Sequence, residues 1–553
     1  MKLTGGQIVL EILLEHGVDT VFGYPGGAAL NVYDALYQYK DKIKHVLTAH
    51  EQGAAHAADG YARSSGKTGV VFATSGPGAT NLVTGIATAF MDSVPMVAIT
   101  SNVVNSLIGR DAFQEIYITG VTLTITKHNF FVNKIEDLAH ALRESFRIAN
   151  SGRKGPVLID ITKDVTAQLC EFQKMETYAL DKLPKANDEQ IREVADLINQ
   201  AKKPVIYFGG GVTASGASKE LAQLSEKADL PAAHTIMATG VIGSDDEKNL
   251  GLIGMHGTVP ANKAVHEADL VLALGTRFSD RVALNMNEFA KRATIVQVDL
   301  DKSEMNKNVL VDISVISDVK YFLEKLIPLV EAKKRPEFLK TVQDWKKTYR
   351  IEKDNPDVLK PHQLIRTICD MTDKETIYVT DVGQHQMWSA QYIKHKTPNS
   401  FLTSAGLGTM GFGYGAAIGA QTAFPDKRVI HVTGDGSFHM NLNEACTAVS
   451  YELPIITVIF NNQVLGMVYQ WQSAFYEGRL SSTTPARKTD FVKVAEGFGA
   501  KGFKASTLSE FEDVFAKALK EKGPVWIECM IDKEEKVLPM IPGGLTVEDV
   551  ILE

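Results

Sequence analysis

The chain has 553 residues, which is the length of three or four average domains, and 44% of its residues are hydrophobic. Its formal net charge is −8 and its basic residues are not clustered, which argues against a nucleic-acid partner. None of its apolar runs approaches the roughly 18 residues of a membrane span, so no membrane association is expected. Its four cysteines are widely spaced, which suggests neither a zinc site nor a disulfide framework and favours a cytoplasmic location.

The chain opens on an amphipathic helix pattern in residues 1–17, without the basic flank and cleavage site of a signal peptide. Short, continuous, β-branched runs then alternate with segments of helical length, which is typical of parallel sheets covered on both faces. We predict an α/β protein with doubly wound parallel sheets. The runs predicted as buried strands are Val70–Thr74, Val97–Thr100, Val157–Ile161, Val205–Phe208, Leu270–Leu274, Ile295–Val298, Ile377–Thr380, Val429–Thr433, Ile455–Phe460 and Val525–Cys529.

Two segments of the chain recur near its end. Gly69–Gly76 is similar to Arg428–Asp435, and Lys154–Ile159 is similar to Lys522–Ile527, at offsets of 359 and 368 positions. Two matches in the same order predict two copies of one α/β domain with a third domain between them. Changes in composition place these domains at 1–181, 188–345 and 360–533. The tail, 534–553, is expected to be a loop that could close over a site.

The sharpest motif follows the predicted strand Val429–Thr433, where Gly434-Asp435-Gly436-Ser437 precedes a second strand that ends in Asn461-Asn462. Parallel strands end at the same sheet edge, so Asp435 and Asn462 are expected to lie together. Carboxylate and amide oxygens suit Mg²⁺, and glycines let backbone N–H groups approach phosphate. The motif predicts a diphosphate held through Mg²⁺, although an aspartate that caps an ordinary helix would give the first part of the pattern.

Four segments of the first domain add a second constellation, in the order Gly23–Gly27 (GYPGG), His50–Gly53 (HEQG), Asp59–Arg63 (DGYAR) and Ser75–Asn81 (SGPGATN). Together with the glycine–aspartate motif, they resemble the thiamin-diphosphate-dependent 2-ketoacid decarboxylases and carboligases. The resemblance implies a pyrimidine-binding first domain, a central FAD-binding-like domain and a diphosphate-binding third domain. It also implies that Asp435, Asn462 and the carbonyl of Val464 ligate the metal.

By the same resemblance, Glu51 activates the cofactor by hydrogen bonding to its aminopyrimidine ring, although a glutamate in a first helical turn is also ordinary. In that superfamily the glutamate reaches cofactor held by another subunit, so a homodimer or tetramer with active sites at the subunit interface is expected. Met410 would bend the cofactor, although a methionine also fills gaps in cores. The implied cofactor contacts are Tyr24, Pro25, Gly26, Val382, Gln384, His385, Gly408, Met410, Gly434, Gly436 and Ser437.

Further motifs are specific to one branch, the acetohydroxyacid synthases, which the chain resembles from residue 1 to about 540. They are Asp111–Glu115 (DAFQE), Lys163, Arg277–Arg281 (RFSDR) and Gly466–Trp471 (GMVYQW). This implies that pyruvate is decarboxylated and its hydroxyethyl carbanion is transferred to pyruvate or 2-ketobutyrate. The products are 2-acetolactate and 2-aceto-2-hydroxybutyrate, and the reaction is the first common step of branched-chain amino acid biosynthesis. The implied catalytic and substrate residues are Phe113, Gln114, Lys163, Arg281, Met467, Val468 and Trp471.

Arg281 can hold the carboxylate of the second ketoacid through a bidentate contact. Trp471 can shape a pocket that favours 2-ketobutyrate, although one extra methylene is worth only about 1–3 kcal/mol. In isolation, Arg281 and Lys163 would be taken for surface residues and Trp471 for a core residue. Their joint occurrence in matching segments supports the assignment.

The central domain carries Phe208–Val212 (FGGGV) after a strand, which fits a dinucleotide turn but equally a plain tight turn. The synthase branch binds FAD here without net redox chemistry, and a small regulatory subunit is a further partner that the resemblance allows. An FAD-dependent pyruvate oxidase and a simple decarboxylase are the alternatives, and an inactive homologue is disfavoured because Glu51, Asp435 and Asn462 are intact. The implied flavin contacts are Arg153, Gly210, Met255, His256, Gly275, Arg277 and Asp299.

Overall fold

The computed structural model describes residues 1–350, 352, 354–355, 358–395 and 397–553. It contains three six-stranded sheets in which every strand pairing is parallel, which confirms the α/β prediction. The sheets lie in residues 20–162, 204–316 and 377–530, inside the three predicted domains, whose boundaries stay a prediction. Within the described ranges, no helix has the length and apolar composition that crossing a bilayer requires.

The first sheet has the strand order β3-β2-β4-β5-β7-β6, and a small antiparallel sheet joins β1 to β8. The strands are β1 (Lys2–Thr4), β2 (Thr20–Gly23), β3 (Lys44–Leu47), β4 (Gly69–Ala73), β5 (Met96–Asn102), β6 (His128–Val132), β7 (Pro156–Thr162) and β8 (Leu169–Glu171). The α-helices are Gly5–Glu15, Leu30–Gln38, Glu51–Ser65, Pro77–Asn81, Val83–Met91, Ile118–Val121, Ile135–Asn150 and Lys163–Ala167, with a 3₁₀ turn at Asn105–Leu107. The predicted N-terminal helix thus begins at Gly5, after a short edge strand.

The central sheet has the strand order β11-β10-β9-β12-β13-β14, which is the order of doubly wound dinucleotide-binding folds and reverses between β9 and β12. The strands are β9 (Pro204–Phe208), β10 (Ala232–His234), β11 (Asn249–Leu252), β12 (Leu270–Leu274), β13 (Thr294–Asp299) and β14 (Ile313–Ile316). The α-helices are Asp188–Gln200, Gly210–Ser215, Ser218–Ala228, Val259–Glu267, Asp280–Ala283, Val319–Leu326 and Pro336–Thr348, with 3₁₀ turns at Ile236–Ala238, Lys302–Glu304 and Ile327–Leu329.

The third sheet has the strand order β16-β15-β17-β18-β20-β19, which is the order of the first sheet. The strands are β15 (Ile377–Thr380), β16 (Phe401–Leu402), β17 (Val429–Gly434), β18 (Ile456–Asn461), β19 (Lys501–Ala505) and β20 (Val525–Met530). The α-helices are Pro361–Met371, Gln384–Tyr392, Phe412–Ala423, Asp435–Phe438, Ala445–Ser450, Gly466–Phe475, Phe491–Phe498 and Leu508–Ala518, with 3₁₀ turns at Leu442–Glu444 and Val547–Asp549. The recurring segments form β4 and β17, and β7 and β20, at equivalent places, which confirms the predicted duplication.

The first and third domains of one chain pack through the helices Glu51–Ser65 and Phe412–Ala423. A Cβ atom at Gly60 would overlap the backbone of Ala416, and one at Gly419 would overlap the backbone of Ala57. The two helices therefore touch through their main chains, and side chains from both domains form one continuous apolar cluster around them.

The tail bridges the third and central domains. Val537, Met540 and Ile541 are buried. The Ile541 N–H donates to the Met255 carbonyl at 2.8 Å, and the Met255 N–H donates to the Arg281 carbonyl at 2.9 Å. The segment that was expected to cover a site is therefore docked beside the backbone that carries Arg281.

Candidate active site

The predicted metal ligands meet at the carboxyl edge of the third sheet. Gly434 and Phe460 are register partners on β17 and β18, so Asp435 and Asn462 leave neighbouring strands at the same edge. Burial raises the pKa of Asp435 to about 6, and the backbone N–H groups of Gly436 and Asn462 act in the opposite direction. The Asp435 carboxylate therefore lies within reach of the Asn462 backbone.

The side chain of Asn462 is held in one orientation. Its Nδ2 donates to Oε1 of Gln384 at 3.2 Å, and its Oδ1 accepts the Val464 N–H at 3.3 Å. Val464 is buried in the same turn. The Asp435 carboxylate after one strand, and the Asn462 amide and Val464 carbonyl after its neighbour, are donors of the kind that Mg²⁺ accepts.

His385 lies beside this turn with an unused hydrogen-bonding atom. Its ring is buried, and Nε2 has no hydrogen-bond partner among the described residues. Burial lowers the pKa of His385 to about 4, so the imidazole is neutral near pH 7. A Cβ at Gly434 would lie 2.8 Å from Nδ1, and one at Gly383 would lie 2.9 Å from Cε1. Both glycines therefore leave room for the ring, and a phosphate oxygen would satisfy a free imidazole N–H.

Two side chains hold the loop that carries Met410. They are Ser437 of the glycine motif and Asn441, shortly after it. Gly411 has φ +86° and donates its N–H to the Ser437 hydroxyl at 3.1 Å, while Nδ2 of Asn441 donates to the Gly411 carbonyl at 2.8 Å. Gly408 also has a positive φ, of +69°. Val382 is half-buried and lies beside this loop, because a Cβ at Gly408 would lie 4.0 Å from its Cγ1.

Glu51 is the first residue of its helix and is buried. Its Oε2 accepts a hydrogen bond from Nδ2 of Asn81 at 2.9 Å. Gly78 packs so closely that a Cβ there would lie 3.2 Å from Oε1 of Glu51. Two parts of the Ser75–Asn81 motif thus orient and make room for the predicted activating carboxylate.

Glu444, from the third domain, is a buried residue of this region that sequence reasoning missed. Its carboxylate accepts the N–H groups of Ala49 at 3.1 Å and His50 at 3.0 Å, and the Thr447 hydroxyl at 2.7 Å. Burial raises the pKa of Glu444, and the charge of Glu51 adds to the effect. No motif marks this glutamate, because its two backbone partners, Ala49 and His50, lie almost 400 positions away in the sequence.

The predicted substrate residues of two domains line one cavity of about 590 Å³. Arg281 comes from the central domain, and Met467, Val468 and Trp471 come from the helix Gly466–Phe475 of the third domain. Four further lining residues were not predicted, and their only sequence signal is nearness to Trp471. They are Gln472, Tyr476, Arg479 and Ser481.

Arg479 gives the cavity a second guanidinium group. Its ion-pair partner is the carboxylate of Glu477. Nη1 of Arg281 lies 3.7 Å from Oδ2 of Asp280. The loop that carries Arg479 is clamped to the preceding helix by Gln472. The Oε1 of Gln472 accepts the Ser481 N–H at 2.9 Å, and its Nε2 donates to the Ser481 carbonyl at 3.2 Å. The cavity thus combines an apolar wall with two cations.

The predicted residues of the first domain lie along the carboxyl edge of its own sheet. Tyr24–Gly26 follow β2, and Lys163 follows β7. Gln114 has φ +60° and packs against Gly76, where a Cβ would lie 2.9 Å from its Cα. Phe113 is 87% exposed. In the described chain none of these residues lines the Arg281 cavity.

Most of the predicted flavin residues lie at the carboxyl edge of the central sheet. Gly210 follows β9, Met255 and His256 follow β11, Gly275 and Arg277 follow β12, and Asp299 ends β13. Burial raises the pKa of Asp299 to about 6.

Unused polar atoms also lie at this edge, while Arg153 is already occupied. Buried Thr213 Oγ1, Thr235 Oγ1 and His256 Nδ1 lack hydrogen-bond partners within the described ranges. Arg153 instead bridges from the first domain to Glu304 at 2.7 Å. The crevice at the strand-order reversal therefore has free donors and acceptors for a dinucleotide.

Three family descriptions match successive parts of the chain. Residues 3–121 match the N-terminal TPP binding domain of thiamine pyrophosphate enzymes, another name for thiamin diphosphate enzymes. Residues 191–326 match the central domain and residues 381–529 the C-terminal TPP binding domain of the same enzymes.

Full-length relatives agree with this division. The chain is 43% identical over 565 residues to a probable acetolactate synthase large subunit of Methanocaldococcus jannaschii, with 99% of this chain and 95% of the relative covered. It is 43% identical to the mitochondrial acetolactate synthase catalytic subunit of Saccharomyces cerevisiae, with 99% and 84% covered. It is 40% identical to the acetolactate synthase large subunit of Haemophilus influenzae, with 100% and 98% covered.

Proposed function

The chain belongs to the family of acetolactate synthase large subunits, which are thiamin diphosphate enzymes, and we propose how its residues divide the work of that reaction. The enzyme decarboxylates pyruvate and joins the remaining two-carbon unit to a second 2-ketoacid. One observation carries the proposal for the second half of the reaction. Arg281 and Trp471, 190 positions apart in the sequence, line the same cavity.

We propose that Asp435, Asn462 and the Val464 carbonyl hold Mg²⁺, and that His385 and the glycines of the Gly434–Ser437 motif hold the diphosphate. Three observations support this assignment: His385 Nε2 lacks a partner among the described residues, two glycines leave room for its ring, and the oxygen donors follow two neighbouring strands. When bound, thiamin diphosphate supplies the carbon that adds to the 2-keto group and retains the electron pair left by CO₂.

Glu51 is proposed to share a proton with the aminopyrimidine ring nitrogen. The hydrogen bond from Asn81 fixes one carboxylate oxygen, so the other is available to the ring. General acid–base assistance of this kind contributes about 10²–10⁴-fold in rate. We therefore expect Glu51→Gln to lose most of the activity while keeping the fold.

Arg281 is proposed to bind the carboxylate of the acceptor ketoacid, and Trp471 to contact its alkyl group. A guanidinium offers two parallel N–H donors to a carboxylate, which orients the neighbouring carbonyl carbon for bond formation. The apolar wall made by Met467, Val468 and Trp471 is proposed to limit the access of water, which would otherwise supply a proton in place of the acceptor. 2-Ketobutyrate is therefore proposed as a second acceptor beside pyruvate.

The product assay tests the function directly. Purified protein with pyruvate, thiamin diphosphate and Mg²⁺ should form 2-acetolactate, and addition of 2-ketobutyrate should yield 2-aceto-2-hydroxybutyrate. Acetaldehyde as the sole product would instead indicate a decarboxylase. Oxygen consumption with hydrogen peroxide would indicate a pyruvate oxidase.

We propose that two copies of the chain complete each active site. Among the described residues, Glu51, Gln114 and Lys163 do not line the Arg281 cavity of the same chain, and exposed apolar side chains lie in the same domain. Such side chains mark interfaces between proteins. The exposed residues are Leu107, Phe113, Tyr117, Val121, Leu123 and Phe131.

Complementation between two inactive variants tests this arrangement. Glu51→Gln and Arg281→Gln chains, coexpressed with different tags and purified as mixed dimers, should recover up to about half of the activity of a wild-type dimer. One site of the mixed dimer then has both residues intact. Sites contained within single chains would leave the mixed dimer as inactive as either parent.

FAD is proposed to bind the central crevice without taking part in net redox chemistry. The strand order and the unpartnered Thr213, Thr235 and His256 atoms support a dinucleotide there. The names of the relatives as large subunits support a small regulatory subunit as a partner. Release of flavin on heating the purified protein would identify FAD. A second protein band that copurifies with the chain from the native host would identify the small subunit.

A further inference from the structure

A chain of buried amides runs from Asn462 to the C-terminal tail. The Asn462 amide donates to Gln384 at 3.2 Å, and Nε2 of Gln384 donates to Oε1 of Gln470 at 3.0 Å. Gln470 in turn pairs with the backbone of Val537. All four residues are buried.

Backbone groups of Val537, Glu535 and Val464 agree on the direction of every hydrogen bond in this chain. The N–H of Val537 donates to Oε1 of Gln470 at 2.9 Å, and its carbonyl accepts from Nε2 of Gln470 at 3.2 Å. A backbone N–H only donates and a carbonyl only accepts, so the Gln470 amide has one allowed orientation. Its oxygen then requires the Gln384 nitrogen, and the Gln384 oxygen requires the Asn462 nitrogen. The remaining atom of Asn462, Oδ1, accepts the Val464 N–H at 3.3 Å and keeps a second lone pair that a metal can use.

We propose that Gln470 is a positioning residue that, through Gln384, keeps Oδ1 of Asn462 turned toward the metal. The proposal rests on the role of Asn462 as a metal ligand given under the proposed function. A flipped Asn462 would present NH₂ to the cation, which cannot ligate it. Residues that orient metal ligands from behind contribute about 10–100-fold to metal affinity.

The same amides anchor the tail, so metal binding and tail docking are coupled. Gln384 also donates to the Glu535 carbonyl at 2.9 Å, and Gln391 donates to the Leu538 carbonyl at 3.2 Å. Release of residues 535–538 removes the backbone groups that set the orientation of Gln470. By linkage, metal bound to Asn462 stabilises the docked tail by the same free energy.

Gln470→Leu tests the orientation mechanism through metal binding rather than activity. With thiamin diphosphate present, the Kd for Mn²⁺, measured by electron paramagnetic resonance, should rise about tenfold or more. Gln470→Glu keeps an acceptor for Gln384 and for the Val537 N–H, so its Kd should stay within about threefold of the wild-type value. Gln421→Leu is the matched control. Among the described residues, this buried glutamine donates to backbone carbonyls of residues 424–427, which are not part of the amide chain, and the Kd should not change.

The same substitution in an Asn462→Asp variant separates loss of the Asn462 amide orientation from a general loosening of the structure. In Asn462→Asp, both side-chain oxygens are equivalent, so no amide needs to be oriented, and adding Gln470→Leu should leave the Kd within about twofold. Equal losses in both backgrounds, or no loss in the first, would overturn the proposal. Should the leucine variant not fold, Gln384→Met breaks the same link and is read in the same way.

Proteolysis of the tail tests the coupling. In the apoprotein, Gln470→Leu should speed tryptic cleavage at Lys533 and Lys536, and Mn²⁺ with thiamin diphosphate should slow cleavage in the wild type more than in the variant. Cleavage at the same rate in all samples would contradict the coupling. Absence of Mn²⁺ binding by the wild type would instead refute the proposed metal site, so the two failures are distinguishable.

Discussion

Glu444→Gln tests whether the third domain positions Glu51 in the first domain of the same chain. The carboxylate accepts two backbone N–H groups, at 3.1 and 3.0 Å, just before the Glu51 helix. Glutamine keeps one acceptor but turns an NH₂ group toward the second N–H. A hydrogen bond to a charged group contributes about 1.5–3 kcal/mol, and a buried donor without a partner costs about 1–3 kcal/mol.

We therefore expect a loss of about 3 kcal/mol in the free energy of unfolding. If that free energy is what holds Glu51 in place, kcat should fall about 10–100-fold at saturating thiamin diphosphate, Mg²⁺ and pyruvate. The assays are urea unfolding and steady-state formation of 2-acetolactate. Thr447→Val is the matched control, because it removes one donor to Glu444 but leaves both backbone contacts, and its kcat should change less than about threefold. Reduced stability with an unchanged kcat would refute the positioning role.

Three other substitutions probe separate parts of the molecule. Glu477→Gln frees Arg479 and should lower the KM for ketoacid about two- to fivefold in steady-state assays, whereas Arg479→Gln should raise it; changes in the same direction would contradict this. Burial lowers the pKa of His395 to about 3, so below pH 6.5 the unfolded chain binds a proton that the folded chain does not. Removing this histidine by His395→Phe should therefore increase stability in thermal unfolding, and the gain should be larger at pH 5 than at pH 7.5. Gly60→Ala should cost about 2–3 kcal/mol by calorimetry because a Cβ overlaps the facing helix, whereas Gly497→Ala, whose Cβ meets no described atom within 4 Å, should gain about 0.5–1 kcal/mol.

The sequence predicts ten strands of the three large sheets and misses every edge strand, together with the short interior strands β2 and β10. Strands such as β4, β5 and β7 are buried along their whole length, so their sequences are continuous apolar runs. The outer strands β3, β6 and β19 are partly exposed and include lysine or histidine. Edge strands carry polar residues that prevent sheets from pairing with one another, and these residues interrupt the continuous apolar run by which a strand is predicted.

Sequence motifs predict which residues lie together where several of them share one segment, and they miss a residue that acts through a single long-range contact. The Gly466–Trp471 motif places three side chains on one helix, and these do line the cavity with Arg281. Glu444 and Arg479 belong to no motif. Their importance depends on which backbone or cavity the folded chain brings to them, and that information is spread over hundreds of positions.

The main-chain contact between the helices Glu51–Ser65 and Phe412–Ala423 limits how this enzyme can move. The two domains cannot slide past each other without separating backbone atoms that already touch, so they behave as one stiff body. Entry of a ketoacid and departure of the larger product must therefore depend on segments without such contacts. The exposed residues 476–480 beside the cavity, which precede the Ser481 contact with Gln472, are of this kind. The dependence of kcat on solvent viscosity should then reflect the opening of a surface loop rather than the rotation of a whole domain.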